Sequence, residues 1–222
     1  MVIEKSRALY DQVYEILREG IINLKYHPGS FLTEASVAEE LQVSRMPVRV
    51  AIRKLENEGW LIADFRKKIK VRDITAKDVK EIYQLRKILE ITALRTIFEK
   101  NLTWEYSFKL EEIVVRIRAA QHDPYQWELH DTEFHMEIVK VLDNERINRI
   151  YKNNQDELIR IGIFCEKPQA HVQDIIDGLY EFIKGMRDKD YDKAFDILNR
   201  EHIIAGEDMA IAKLSCPSVK TN

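Results

Sequence analysis

Two arginines four residues apart, Arg45 and Arg49, stand in the stretch Ser44-Arg45-Met46-Pro47-Val48-Arg49, with Arg53 and Lys54 one helical turn further on. Residues four apart share a face of a helix. A guanidinium on such a face can set two parallel hydrogen bonds on O6 and N7 of guanine. The Ser44 hydroxyl, with the N–H groups of a helix start behind it, suits a phosphate oxygen, and Met46 and Pro47 belong to the same leading end. A second basic group, Arg66-Lys67-Lys68, can follow a phosphate backbone or enter a minor groove. The alternative for all of them is an ordinary solvated basic face.

Charge distribution weighs on that choice. The whole chain of 222 residues carries −3, yet residues 44–72 hold nine basic against three acidic side chains. A basic block inside an acidic protein is what a phosphate-binding surface requires.

The elements that must position these residues can be read from periodicity and breakers. Leu9, Val13, Leu17, Ile21 and Leu24 trace one apolar stripe, predicting a helix from about Ser6 to Asn23 that ends at His27-Pro28-Gly29. Thr33 caps a short helix, Glu34 to Leu41. After the turn Gln42-Val43-Ser44, Ser44 caps a third helix with Pro47 in its first turn and Gly59 as its C′ residue. Residues 60–63 and 68–71 then read as two strands around a basic tip, Asp64 to Lys67. Helix, short helix, turn, helix and hairpin make a winged helix-turn-helix, whose third helix enters the major groove of a duplex.

From Thr75 the pattern changes to long helices alone. Thr75 and Asp78 form a capping-box-like start, and Val79, Ile82, Leu85, Leu89, Ala93 and Ile97 trace a buried stripe. Further helices are expected at about 103–121, 124–142, 145–166, 172–188 and 191–214, separated by Asn101, His122-Asp123-Pro124, Asp143-Asn144, Lys167-Pro168 and Asp188-Lys189-Asp190. The expected fold is therefore mainly α: a winged domain over 1–74 with a small β-hairpin, then an all-α bundle of six to seven helices over 75–222 with a frayed tail from Ser215. The joint Arg72-Asp73-Ile74-Thr75 is short. No apolar run is long enough to cross a bilayer, the N-terminal residues hold no secretory core, and Cys165 and Cys216 match no metal-finger spacing. These features point to a cytoplasmic chain with no membrane partner.

Residues 10–72 closely resemble the DNA-binding domain of the GntR family of bacterial transcription regulators. The resemblance rests on Ile21-Ile22 with Pro28-Gly29, Val37-Ala38-Glu39-Glu40-Leu41, Ser44-Arg45-x-Pro47-Val48-Arg49 and Leu55-Glu56-x-Glu58-Gly59. It implies that Arg45 and Arg49 read operator bases. The family usually carries a glycine at the wing tip; Arg66-Lys67-Lys68 in that place favours looser phosphate contacts.

Residues 75–214 look like the effector domain (FCD type) of the FadR subgroup, through Ile82-Tyr83-x-Leu85-Arg86-x-x-Leu89-Glu90, Asp131-x-x-Phe134-His135, Asn144 and Asp190-x-x-x-Ala194. Many such domains hold a divalent metal (zinc, nickel or manganese) through one Asp and three His, onto which small organic acids dock. By that resemblance Asp131 and His135 are the first two ligands; the third position falls on Leu179 and the fourth on Glu201, with His202 one residue off, rotated by about 100° on an α-helix. Asp131 and His135 otherwise form a buried pair. Arg86 grips an acidic effector or bridges to Glu90, and Tyr83, Trp127 and Phe134 line the pocket or fill the core.

The resemblance implies a homodimeric transcription regulator, most often a repressor, on a palindromic double-stranded DNA operator, its affinity set by a small-molecule effector such as a carboxylate. Two competing readings are a helical metal-dependent hydrolase built on Asp131, His135 and Glu201, and a dimeric DNA-binding protein with no effector. Against the hydrolase, no nucleophile–base pair, Gly-rich phosphate loop or HExxH occurs.

Overall fold

The computed structural model describes residues 9–63, 68–165 and 169–215, in two compact units, Met1–Ile74 and Thr75–Asn222. The start of the first helix before Leu9, the wing tip with Arg66 and Lys67, the break at Lys167-Pro168 and the tail with Cys216 lie outside the described residues.

In the first unit, α1 (Leu9–Ile22) and α3 (Arg45–Asn57) bury Val13, Leu17, Ile21, Val48, Ile52 and Leu55 in one core, with α2 (Glu34–Glu40) against it. Each such side chain contributes about 1.5–3 kcal/mol by leaving water. Leu9 is exposed and Leu24 leaves the stripe because its backbone turns left-handed (φ 59°), ending the helix. Thr33 caps α2 as expected, in a reciprocal box with Ser36. At the end of α3, Gly59 (φ 82°) donates to the Glu56 carbonyl and Trp60 to that of Leu55. That paired return is the Schellman arrangement, and the left-handed φ is why glycine sits there.

The hairpin is part of a larger sheet than expected. β2 (Leu61–Ala63) and β3 (Ile69–Val71) pair antiparallel, and a strand missed in the sequence, β1 (Phe31–Leu32), joins the other edge of β3 to give the order β1-β3-β2. Two residues carry no readable alternation, so pairing with β3 alone defines β1.

Among the described residues the second unit is all-helical: α4 (Ala76–Glu99), α5 (Thr103–Ala119), α6 (Pro124–Val139), α7 (Glu145–Cys165), α8 (Gln169–Arg187), α9 (Tyr191–Asp196) and α10 (Ala205–Ser215). The Thr75–Asp78 box caps α4, and left-handed residues Asn101, Asp143 and Lys189 sit at three expected breaks. α6 tightens into a 3₁₀ turn over Lys140–Leu142. The helix expected over 191–214 is not one helix: residues Ile197–Ile204 form a π-helical stretch between α9 and α10. Among the described residues no helix is long and apolar enough to cross a membrane.

The α4 stripe also differs from its apolar periodicity. Leu85 and Leu89 are only half-buried, while Tyr83, Arg86 and Glu90 face inward. Hydrophobic spacing does not register buried charge, and that charge builds the site.

Candidate functional site, a basic helix face and a buried polar cavity

On α3, burial of Val48, Ala51, Ile52 and Leu55 turns Arg45, Met46, Arg49, Val50, Arg53 and Lys54 outward. Met46 is 67% exposed, an apolar side chain held in water beside guanidinium groups. Ser44 has the backbone of an N-cap, but its side chain makes no cap hydrogen bond, which corrects its expected capping role. No acidic residue occupies the first turn either, so the N–H groups there meet no side-chain anion of their own helix. Pro47, half-buried, sits where its missing N–H costs no helical bond.

Arg49 is held. Its Nε donates to Glu34 Oε1 at 2.9 Å and its Nη2 to Oε2 at 2.9 Å, a fork across from α3 to α2. The hydrogen bond from Arg49 lowers the Glu34 carboxyl below its ordinary range, with the charges of Arg45 and Arg53 adding to it. The guanidinium keeps its Nη1 edge for an outside acceptor. Lys54 is drawn to its own unit, with Nζ 3.6 Å from the Tyr14 ring centre. Lys68 is exposed at the start of β3.

In the helical unit, Glu90 on α4 is fully buried at the centre of a polar cluster. It accepts from Arg86 Nε at 2.8 Å and Tyr151 OH at 3.0 Å, and its Oε2 lies 2.7 Å from His135 Nδ1. Burial acts to raise its pKa, but the charge of Arg86 and the ring of His135 prevail and hold it at about 2. With that carboxylate as acceptor, His135 Nδ1 carries the proton and Nε2 faces Asp131, whose Oδ2 is 3.8 Å away. The expected Arg86–Glu90 bridge is therefore present, and His135 pairs primarily with Glu90, a partner that spacing within one helix could not show.

A cavity of about 430 Å³ opens over this cluster, lined by Tyr83, Arg86, Asp131, His135 and Tyr151, and by Glu201 and His202 from the π-helical stretch. Four elements thus supply Arg86, His135, Tyr151 and His202. Gly162 on α7 makes room for Glu128: a Cβ there would lie 2.0 Å from its carboxylate oxygen. Arg86 stacks over Tyr83 at 5.2 Å, and its Nη2 is buried with no hydrogen-bond partner. His202 is half-buried as a residue, yet its Nε2 is also sealed and unpartnered, with its ring 5.8 Å from that of His135. Burial, with the nearby His135 and Arg86, pushes the His202 pKa down to about 3, so the ring is neutral at pH 7. Trp127 and Phe134 are core residues outside the cavity lining.

The metal set expected from resemblance does not close. Leu179 is wholly buried and outside the lining, and among the described residues no group of three or more His, Cys, Asp or Glu side chains is placed to hold an ion.

A winged helix-turn-helix with a basic outward helix, in one chain with a helical unit that holds a polar cavity, defines a DNA-binding regulator with a ligand-binding domain. Residues 9–71 match the bacterial regulatory proteins of the gntR family, and residues 81–204 match the FCD domain. The chain belongs to the GntR family, as an FCD-containing transcriptional regulator. It is similar to the uncharacterized HTH-type transcriptional regulator YdhC of Bacillus subtilis, at 31% identity over 157 residues, covering 69% of this chain and 70% of that one. It is also similar to the gluconate operon transcriptional repressor of the same organism, at 27% over 182 residues, covering 78% and 74%. A GntR regulator structure from Rhodococcus sp. RHA1 shares the fold with a TM-score of 0.70 at 20% identity, covering 94% of this chain and 98% of that one.

Proposed function

We propose that the protein acts as a homodimeric repressor: the 1–74 domain binds one half of a palindromic operator, and the 75–222 domain dimerises and takes a small carboxylate that changes operator affinity. The observation that carries the DNA half is the face of α3, where Arg45, Arg49 and Arg53 stand exposed opposite the core. Arg45 reads a base edge, Arg49 does so from its Glu34 buttress, and Ser44 meets a phosphate; Arg66, Lys67 and Lys68 add backbone contacts. The cavity, with a buried guanidinium on its wall, supports the effector half. A related protein represses a gluconate operon, and gluconate is a carboxylate. A ligand acts by binding one arrangement of the dimer better than the other, a coupling of typically about 1–3 kcal/mol.

The test is selection of bound duplexes from a random pool, followed by titration of the selected site and an unrelated duplex. Arg45→Ala is expected to weaken the selected site by about 1–3 kcal/mol and leave the unrelated duplex nearly unchanged. Equal losses on both would reduce Arg45 to a phosphate contact, and a pool with no preferred sequence would end the operator reading.

A further inference from the structure

Resting on the carboxylate reading above, we infer that this cavity binds its ligand directly and without a metal, a carboxylate accepting from Arg86 Nη2 and from His202 Nε2.

Two observations converge. Both atoms are buried, both belong to residues lining the cavity, and both lack a hydrogen-bond partner. A buried polar atom without a partner costs about 1–3 kcal/mol, so two of them on residues that line the same cavity are where a ligand would supply acceptors. A carboxylate offers two oxygens, and both nitrogens can donate: the guanidinium always, the neutral imidazole as its Nε2–H tautomer.

The donor set does not fit an ion. A bound zinc ion takes three or four protein ligands at about 2.0–2.3 Å. Leucine stands where the resemblance calls for the third, and no sufficient group exists among the described residues.

The π-helical stretch explains how His202 reaches the wall. Its turns hold more residues than α-helical ones, so residues within it leave the phase of a regular helix. His202, misplaced on an α-helical count, thereby brings its ring to 5.8 Å from that of His135.

The experiment uses the full chain after dialysis against a chelator. Gluconate and a panel of small hydroxy- and keto-carboxylates are titrated with and without zinc, nickel or manganese, and each metal is also added alone; calorimetry and melting temperature are read. We expect carboxylate binding in chelated protein, unchanged by metal. His202→Phe should weaken it about tenfold without lowering the melting temperature, because the sealed nitrogen is removed. Arg86→Lys keeps a cation for Glu90 but has no second nitrogen to offer, and should weaken binding at least as much. Binding only in the presence of metal, a metal-induced melting shift abolished by His135→Ala, or full affinity in His202→Phe would each overturn the inference while leaving the carboxylate reading intact. No binding by any panel member, with or without metal, takes down both.

Discussion

The outer face of α3 and the cavity wall both depend on an arginine forked or bridged to a glutamate, and the two pairs behave differently. Arg49–Glu34 lies in water, where such a pair is worth about 0–1 kcal/mol, so its work is to orient a guanidinium. Arg86–Glu90 is buried at 8% and 0% side-chain exposure, where each partner needs the other. Surface charge can therefore be spared for a partner, whereas buried charge must be balanced before any ligand arrives. On the inner arginine, the buried Nη2 is left without a hydrogen-bond partner.

Glu90→Gln should set the two pairs furthest apart. It leaves Arg86 buried without its counter-charge and weakens the anchors of His135 and Tyr151. A loss of about 3–5 kcal/mol is expected for the helical unit in urea unfolding. A loss below about 1 kcal/mol would show that the inner pair is no more coupled than the outer one.

Acid should separate the regions next. The folded pKa of His202 is depressed to about 3 from 6.5. Below pH 6.5 the unfolded chain gains a proton that the folded one refuses, so stability present above pH 6.5 falls as pH drops toward 3, at up to about 1.4 kcal/mol per pH unit. Glu90, depressed to about 2 from 4.5, adds a second loss between those values. In His202→Phe the loss between pH 6.5 and 4.5 should shrink, measured by denaturant titration across pH. An unchanged profile would mean that the ring is solvated.

These contrasts also explain what the sequence could and could not disclose. The winged unit was legible because its signals are local: the Thr33 cap, Gly59 at a left-handed turn, and the arginines at helical spacing each act within a few residues. The basic tip remained a matter of sequence, since Arg66 and Lys67 lie outside the described residues. Arg86 with Glu90 was legible for the same local reason. The Glu90–His135 pair was not, because 45 residues separate them and only packing of α4 on α6 brings them together. The π-helical stretch was invisible too: no breaker marks it, and a count at α-helical spacing put His202 on the wrong face.

On the outer face, Glu34→Gln should change unfolding stability by less than about 1 kcal/mol. It removes an anion among three arginines, so affinity for an unrelated duplex should rise while preference for the selected site falls as Arg49 loses its buttress. If preference is retained, the fork does not position Arg49 for reading.

The smallest effect tests Ser44 against Thr75, two residues with the backbone of an N-cap and different side-chain employment. The Thr75 hydroxyl accepts from the Asp78 N–H at 3.1 Å, whereas Ser44 makes no such bond. Thr75→Ala should therefore cost about 0.5–2 kcal/mol of stability. Ser44→Ala should leave stability unchanged within a few tenths of a kcal/mol, because no cap is lost, and should lower duplex affinity modestly through the missing phosphate contact. The comparison is made by denaturant titration and duplex binding on the same two variants. A stability loss at Ser44 equal to that at Thr75 would restore Ser44 to a structural cap and withdraw it from the interface.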